Sequence, residues 1–133
     1  MTFSLYMQAF RDGRLAPINR ATVDAEFDPY VVDRDPAFIR IRYPDQSGAE
    51  IWMNGGKGEL DNITFKHCGG EAFSHALYSL AKRTGSVIYW PGGGCVVTDP
   101  AVTSSLPYDL VATLGTPMVV KSGAEIFDHI AKS

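Results

Sequence analysis

The sequence predicts an α+β domain spanning residues 1–133, built as a mainly antiparallel sheet with helices packed on one face. Three observations predict it. Residues 37–43 and 49–53 alternate apolar and polar side chains with the period of half-buried strands, and residues 71–83 place apolar residues at i, i+3, i+4 and i+7. Strands and helices also mix without the regular βαβ alternation of a parallel doubly wound sheet.

Taken in order, residues 3–10 set Phe3, Leu5, Met7 and Ala9 against Ser4, Tyr6 and Gln8, a first strand ended by Asp12-Gly13. Asn19 is the expected N-cap of a short helix, with Ile18 and Val23 as its hydrophobic staple, Val23 and Phe27 on one face, and Pro29 as its stop. Residues 37–43 direct Ala37, Ile39, Ile41 and Tyr43 inward and Phe38, Arg40 and Arg42 outward. After a turn at Pro44 to Gly48, residues 49–53 return with Ile51 and Met53 inward, Asn54-Gly55-Gly56 breaks the run, and residues 60–66 complete a meander of three strands. The helix at 71–83 carries Phe73, Ala76, Leu77 and Leu80, has Glu71 in its first turn and Lys82 and Arg83 in its last, and ends at Gly85. Residues 86–90 and 95–98 form a hairpin across Pro91-Gly92-Gly93-Gly94, and residues 108–114 a short helix. Residues 118–120 add a strand, and the capping box Ser122-Gly-Ala-Glu125 opens a terminal helix with Ile126, Phe127 and Ile130.

Composition narrows the function classes. A chain that is 45% hydrophobic and 20% charged folds around a core, which removes intrinsic disorder. The net charge of -3, from 12 basic and 15 acidic residues, offers no footprint for a phosphate backbone, so nucleic-acid binding is not expected. Arg34, Arg40 and Arg42 do cluster, but Asp33, Asp35 and Asp45 interleave with them. The N-terminus lacks a basic n-region and apolar h-region, and no apolar run approaches the length of a bilayer span, so cytoplasmic localisation without membrane association is expected. Cys68 and Cys95 match neither a zinc knuckle nor a redox C-x-x-C and read as thiols rather than a bridge.

Each candidate chemical site fails on a named requirement. Gly92 to Gly94 resemble an anion-cradling loop, but Cys95-Val96-Val97 follows, without the lysine or helix of a P-loop; Asn54 to Gly58 has a lysine at the wrong spacing. His67, Cys68 and His75 flank the turn at Gly69-Gly70 and supply three soft ligands, fewer than a closed zinc site needs, and His75 falls on the exposed side of its helix. Either cysteine pairs on paper with His67, His75 or His129 and with Asp99 or Asp109, but no nucleophile motif surrounds either thiol. The carboxylate pairs Asp24 and Glu26, Glu59 and Asp61, and Asp99 and Asp109 read as solvated surface charge. No catalytic residue, metal or cofactor is assigned.

Trp52 alternates with Ile51 and Met53 and therefore points to the other face of its strand; Phe38 and Trp90 raise the same question. Aromatics beside Arg40, Arg42 and Glu50 have the composition of a protein-recognition patch, and covering of the same face by a helix or a second copy is the alternative.

The helix at 71–83, the hairpin from Ile88-Tyr89-Trp90-Pro91 through Val96-Val97-Thr98-Asp99, and the closing Val119 to Ile126 segment resemble small bacterial α+β proteins of unknown function, some of them immunity proteins encoded beside secreted toxins. That resemblance carries no binding residue over. It implies a cytosolic, non-enzymatic protein that neutralises a cognate toxin by occlusion. The expected function is thus a protein-interaction module using Trp52, Trp90, Arg40 and Arg42. The alternatives are a small-molecule-binding domain or enzyme with a site near Gly92 to Cys95 and His67 to His75, and a structural homodimer.

Overall fold

Alternation along residues 4–11, 38–42 and 48–55 decides which side of the sheet meets the helices, because successive strand residues face opposite ways. Leu5, Met7, Ala9, Ile39, Ile41, Ala49 and Ile51 are buried on one side. Tyr6, Gln8, Phe38, Glu50 and Trp52 lie between them, half-buried, on the other.

The computed structural model describes residues 3–133. The chain begins with β1 (Ser4–Arg11), β2 (Arg14–Ala16), β3 (Ile18–Asn19), α1 (Arg20–Phe27) and a 3-10 turn at Asp28–Tyr30. A meander follows: β4 (Val31–Arg34), β5 (Phe38–Arg42), β6 (Gly48–Gly55) and β7 (Glu59–Gly69). Then come α2 (Glu71–Thr84), the hairpin of β8 (Ser86–Tyr89) and β9 (Cys95–Val97), the short α3 (Pro100–Thr103) and α4 (Tyr108–Leu114), β10 (Met118–Val119) and α5 (Gly123–Lys132). The strands lie in the order β10-β9-β8-β1-β7-β6-β5-β4, with β2 beside β1 and β3 beside β7. Every pair is antiparallel except β9 with β10. The α+β architecture and its mostly antiparallel sheet match the sequence prediction. β4 extends the expected three-strand meander to four; it is bulged between Val31 and Asp33 and exposes Asp33 and Arg34, features that discourage pairing with another chain at a sheet edge.

One face is covered by α1, α2 and α5. A chain of edge-on rings links them to the sheet, Phe27 to Phe65 at 6.3 Å, Phe65 to Phe73 at 5.7 Å and Phe73 to Phe127 at 6.4 Å. Asn19 caps α1 by accepting from the Thr22 amide at 3.1 Å, and Ser122 caps α5 by accepting from the Glu125 amide at 3.3 Å, both as the sequence predicts. Glu125 in turn accepts from the Lys121 amide.

The start of α2 has no such local cap. Gly70 occupies the N-cap position, and the donors are met from 26 to 27 residues away: Asp45 accepts from the Ala72 amide at 3.0 Å, and the Ser47 hydroxyl accepts from the Phe73 amide at 3.1 Å. Asp45 also accepts from the Ser47 amide and hydroxyl, so the β5–β6 turn is itself braced. These hydrogen bonds hold the Asp45 carboxyl below its ordinary value, with the Ser47 hydroxyl the largest contributor. Gly70 has a φ of +98°, and a Cβ there would overlap the Ser47 side chain, so only glycine lets turn and helix approach this closely.

The opposite face is covered at one end only. Val87, Cys95, Val97 and Leu106 form a second apolar cluster with Val102, Leu110, Val111 and Leu114 of the α3–α4 segment. That cluster reaches Tyr89 of β8 and Phe10 of β1, and no residue of β5, β6 or β7 belongs to it among the described residues. Among the described residues no helix is long and apolar enough to cross a membrane.

Candidate functional site

The uncovered stretch is organised as two cross-strand rows. In the first, Phe38 on β5 pairs with Trp52 on β6, Trp52 with Thr64 on β7, Thr64 with Tyr6 on β1, and Tyr6 with Tyr89 on β8. In the second, Arg40 pairs with Glu50, Glu50 with Lys66 and Lys66 with Ser4. Neighbours on one sheet face stand close enough to interact, and here they do.

Aromatic stacking and charge lock the rows together. Phe38 and Trp52 stack with ring centroids 4.7 Å apart, and the Lys66 Nζ lies 4.6 Å from the Trp52 ring centroid. The Trp52 indole N–H donates to Glu50 at 2.9 Å, and the other Glu50 oxygen is 3.6 Å from Arg40. Arg40 also lies 5.7 Å from the Phe38 ring and 3.4 Å from Asp33. Farther along, Tyr6 and Tyr89 stack at 5.3 Å, and the Tyr89 hydroxyl donates to Gln8 at 2.8 Å. These side chains are held in place before any partner arrives, which lowers the ordering cost of binding.

A groove of about 510 Å³ continues the second row toward the β5–β6 turn, lined by Arg40, Arg42, Gln46, Glu50, His67 and Cys68. Local backbone irregularity shapes it. Between the pairs Glu50–Lys66 and Gly48–Gly69, the single residue Ala49 opposes His67 and Cys68, a β-bulge with His67 at a φ of +50°. The bulge leaves His67 exposed and turns Cys68 back against the main core. Among the described residues neither Arg42, which lines the groove, nor Lys66, which lies over the Trp52 ring, has a carboxylate within ion-pair distance.

Of the four residues expected in a recognition patch, Trp52 and Arg40 are linked through Glu50, and Arg42 lines the same groove as Arg40. Trp90 does not join them. It is 3% exposed, packs within the main core on the helix-covered side, and donates its indole N–H to the Ser133 hydroxyl at 3.0 Å. The physical reason is parity: Trp90 lies two residues beyond the core-facing Ile88 and follows it inward. Nothing in residues 86–90 displays that parity as a pattern, because β8 is covered on both faces and has no polar alternation. Lys66, which the sequence reading did not single out, belongs to the site through a β6–β7 register that no local pattern displays.

The residues of the alternative small-molecule or catalytic site are dispersed. His67 and Cys68 line the groove just described, His75 a second depression, and Gly94 and Cys95 a third. Among the described residues no group of three or more His, Cys, Asp or Glu side chains is arranged to hold a metal ion. Burial pushes the Cys68 thiol up to about 11 and raises that of Cys95, the direction opposite to an activated nucleophile. The triple glycine has a packing role: a Cβ on Gly93 would overlap the Trp90 indole. No family model matches the chain, and no match to it was found among curated proteins or solved structures.

Proposed function

We propose that the protein is a non-enzymatic interaction module that binds a partner protein through the open sheet face, with Trp52 at the centre and Arg40, Arg42 and Lys66 supplying charge. In its most specific form the reading is an immunity-type inhibitor acting in the cytosol, occluding a cognate toxin. The observation that carries it is the preorganised Phe38–Trp52–Lys66 and Arg40–Glu50 lattice on a face that no helix covers. Trp and Arg are the residue types that anchor protein interfaces. Local charge supports an acidic counterpart, because Arg42 and Lys66 stand unpaired on a chain whose net charge is -3. A nucleic acid fits less well, because Phe38 and Lys66 already occupy the neighbourhood of the Trp52 ring on which a base would stack.

The test is an affinity measurement with the copurifying partner, using the wild type, Trp52→Ala and Arg42→Glu. Each variant is expected to weaken the complex by about tenfold or more, roughly 1.4 kcal/mol. Arg42→Glu, being exposed, should leave the melting temperature unchanged. Wild-type affinity in both variants would overturn the surface assignment. A dimeric solution mass that Trp52→Ala converts to monomer would instead give the face to a second copy of the chain.

A further inference from the structure

Beyond the two rows of the open face lies a third that is nearly empty. Arg42 on β5 pairs with Gly48 on β6, and Gly48 with Gly69 on β7, so two of its three positions carry no side chain. Beside the long side chains of Arg40 and Glu50 this gap belongs to the groove of about 510 Å³, which Arg42, Gln46 and His67 also line, all three exposed. That volume lies within the range of small-ligand sites and suits a short extended stretch of chain. Arg40 and Glu50 line the groove and also reach the Phe38 and Trp52 side chains, so the groove is continuous with the aromatic lattice.

The chemistry of the lining groups selects the occupant. Arg42 stays ionised and offers a planar fork of N–H donors matched to a carboxylate, and the Gln46 amide and His67 imidazole can donate as well. The acidic groups nearby are already engaged. Glu50 accepts from the Trp52 indole at 2.9 Å and lies 3.6 Å from Arg40, while Asp45, in the same turn as Gln46, accepts from Ser47 and from the Ala72 amide at the start of α2. Among the described residues no carboxylate stands within ion-pair distance of Arg42 or His67. The charge left unanswered in the groove is thus positive on a chain of net charge -3, and its complement is acidic.

We propose, resting on the protein-binding function above, that the partner presents a short extended acidic segment and that this groove holds it, one carboxylate on Arg42 beside Gln46 and His67 and the backbone over Gly48 and Gly69. Gly69 supplies a clean block. A Cβ added there meets no neighbouring atom within 4 Å, and its φ lies outside the left-handed region, so Gly69→Leu fills the groove without straining the backbone.

The test is an NMR titration of the full chain with the peptide acetyl-Gly-Asp-Glu-Asp-Gly-amide, its uncharged counterpart acetyl-Gly-Asn-Gln-Asn-Gly-amide, and disodium glutarate. Saturable shifts at the Gly48, His67 and Gly69 amides are expected with the acidic peptide, more weakly with glutarate and not with the neutral peptide. Arg42→Gln removes the charge-assisted pair and should weaken the acidic peptide about tenfold, as should Gly69→Leu; Arg42→Gln carries the test if Gly69→Leu fails to fold. No saturable response, an equal response to the neutral peptide, glutarate binding as tightly as the peptide, or wild-type affinity in Arg42→Gln would each overturn the groove. Groove and face fail separately. Loss of the partner complex in Trp52→Ala without any peptide response removes the groove and keeps the face, whereas peptide binding with wild-type partner affinity in Trp52→Ala keeps the groove and removes the face.

Discussion

The two tryptophans occupy opposite faces of one sheet, and their surroundings differ in what holds them. Trp90 sits among apolar side chains, its indole N–H satisfied by Ser133 just past the end of α5 and its ring packed on a glycine. Trp52 is held by a stacked phenylalanine, a lysine over its ring and a glutamate on its N–H, with one side left to solvent. Burial anchors the first, whereas lateral contacts preorganise the second. A residue fixed by its neighbours on the same face can be rigid and still accessible, which is the condition for a recognition anchor.

Substitution separates the two environments. Trp90→Ala empties a buried site and is expected to cost about 3–5 kcal/mol in denaturant unfolding, whereas Trp52→Ala removes one stacked pair and one cation–π contact and should cost about 1 kcal/mol. Equal losses would mean that the Trp52 face is a covered core after all. The support of the helix-covered face is tested next by Gly70→Ala, which places a methyl group into Ser47 at a φ of +98° and should cost about 2–3 kcal/mol.

The remote cap of α2 gives smaller effects. Ser47→Ala leaves the Phe73 amide without its acceptor and is expected to lower stability by about 1–2 kcal/mol, measured by thermal or urea unfolding. Asp45 has a depressed folded pKa, so its contribution is complete above the ordinary value of 3.8 and is lost as pH falls through the lowered one. Asp45→Asn should therefore flatten that part of the acid limb of the stability profile; an unchanged limb would show that the carboxylate is not the tie between turn and helix. The smallest effect concerns the thiols. With both raised by burial, Cys68 and Cys95 should react with iodoacetamide at neutral pH more slowly than free cysteine, and rapid labelling of Cys68 would show that the bulge at His67 opens.

Much of this was legible locally. Alternation at Ile39, Ile41 and Ile51 assigned the buried side of the meander, Asn19 and Ser122 marked helix starts, and Gly85, at a φ of +64°, marked the end of α2. The same alternation put Trp52, Arg40 and Arg42 on the far side, where Glu50 links Trp52 to Arg40. The strand at Val31–Arg34 escaped notice because only Val31 and Val32 are apolar there and its pairing partner supplies the order. The covering of β8 and β9 by α3 and α4 escaped because Val87 and Val97 look the same in a strand buried on one face or on two.

By itself, then, the sequence determined periodicity, caps and turns, since these depend on residues within a few positions of one another. Only the tertiary structure decided which uncapped helix end met Asp45 and Ser47, which tryptophan was swallowed by the core, that Lys66 lies over Trp52, and that Gly48 and Gly69 pair in one groove. Each depends on register and packing between segments distant in the chain, where no local pattern states the partner.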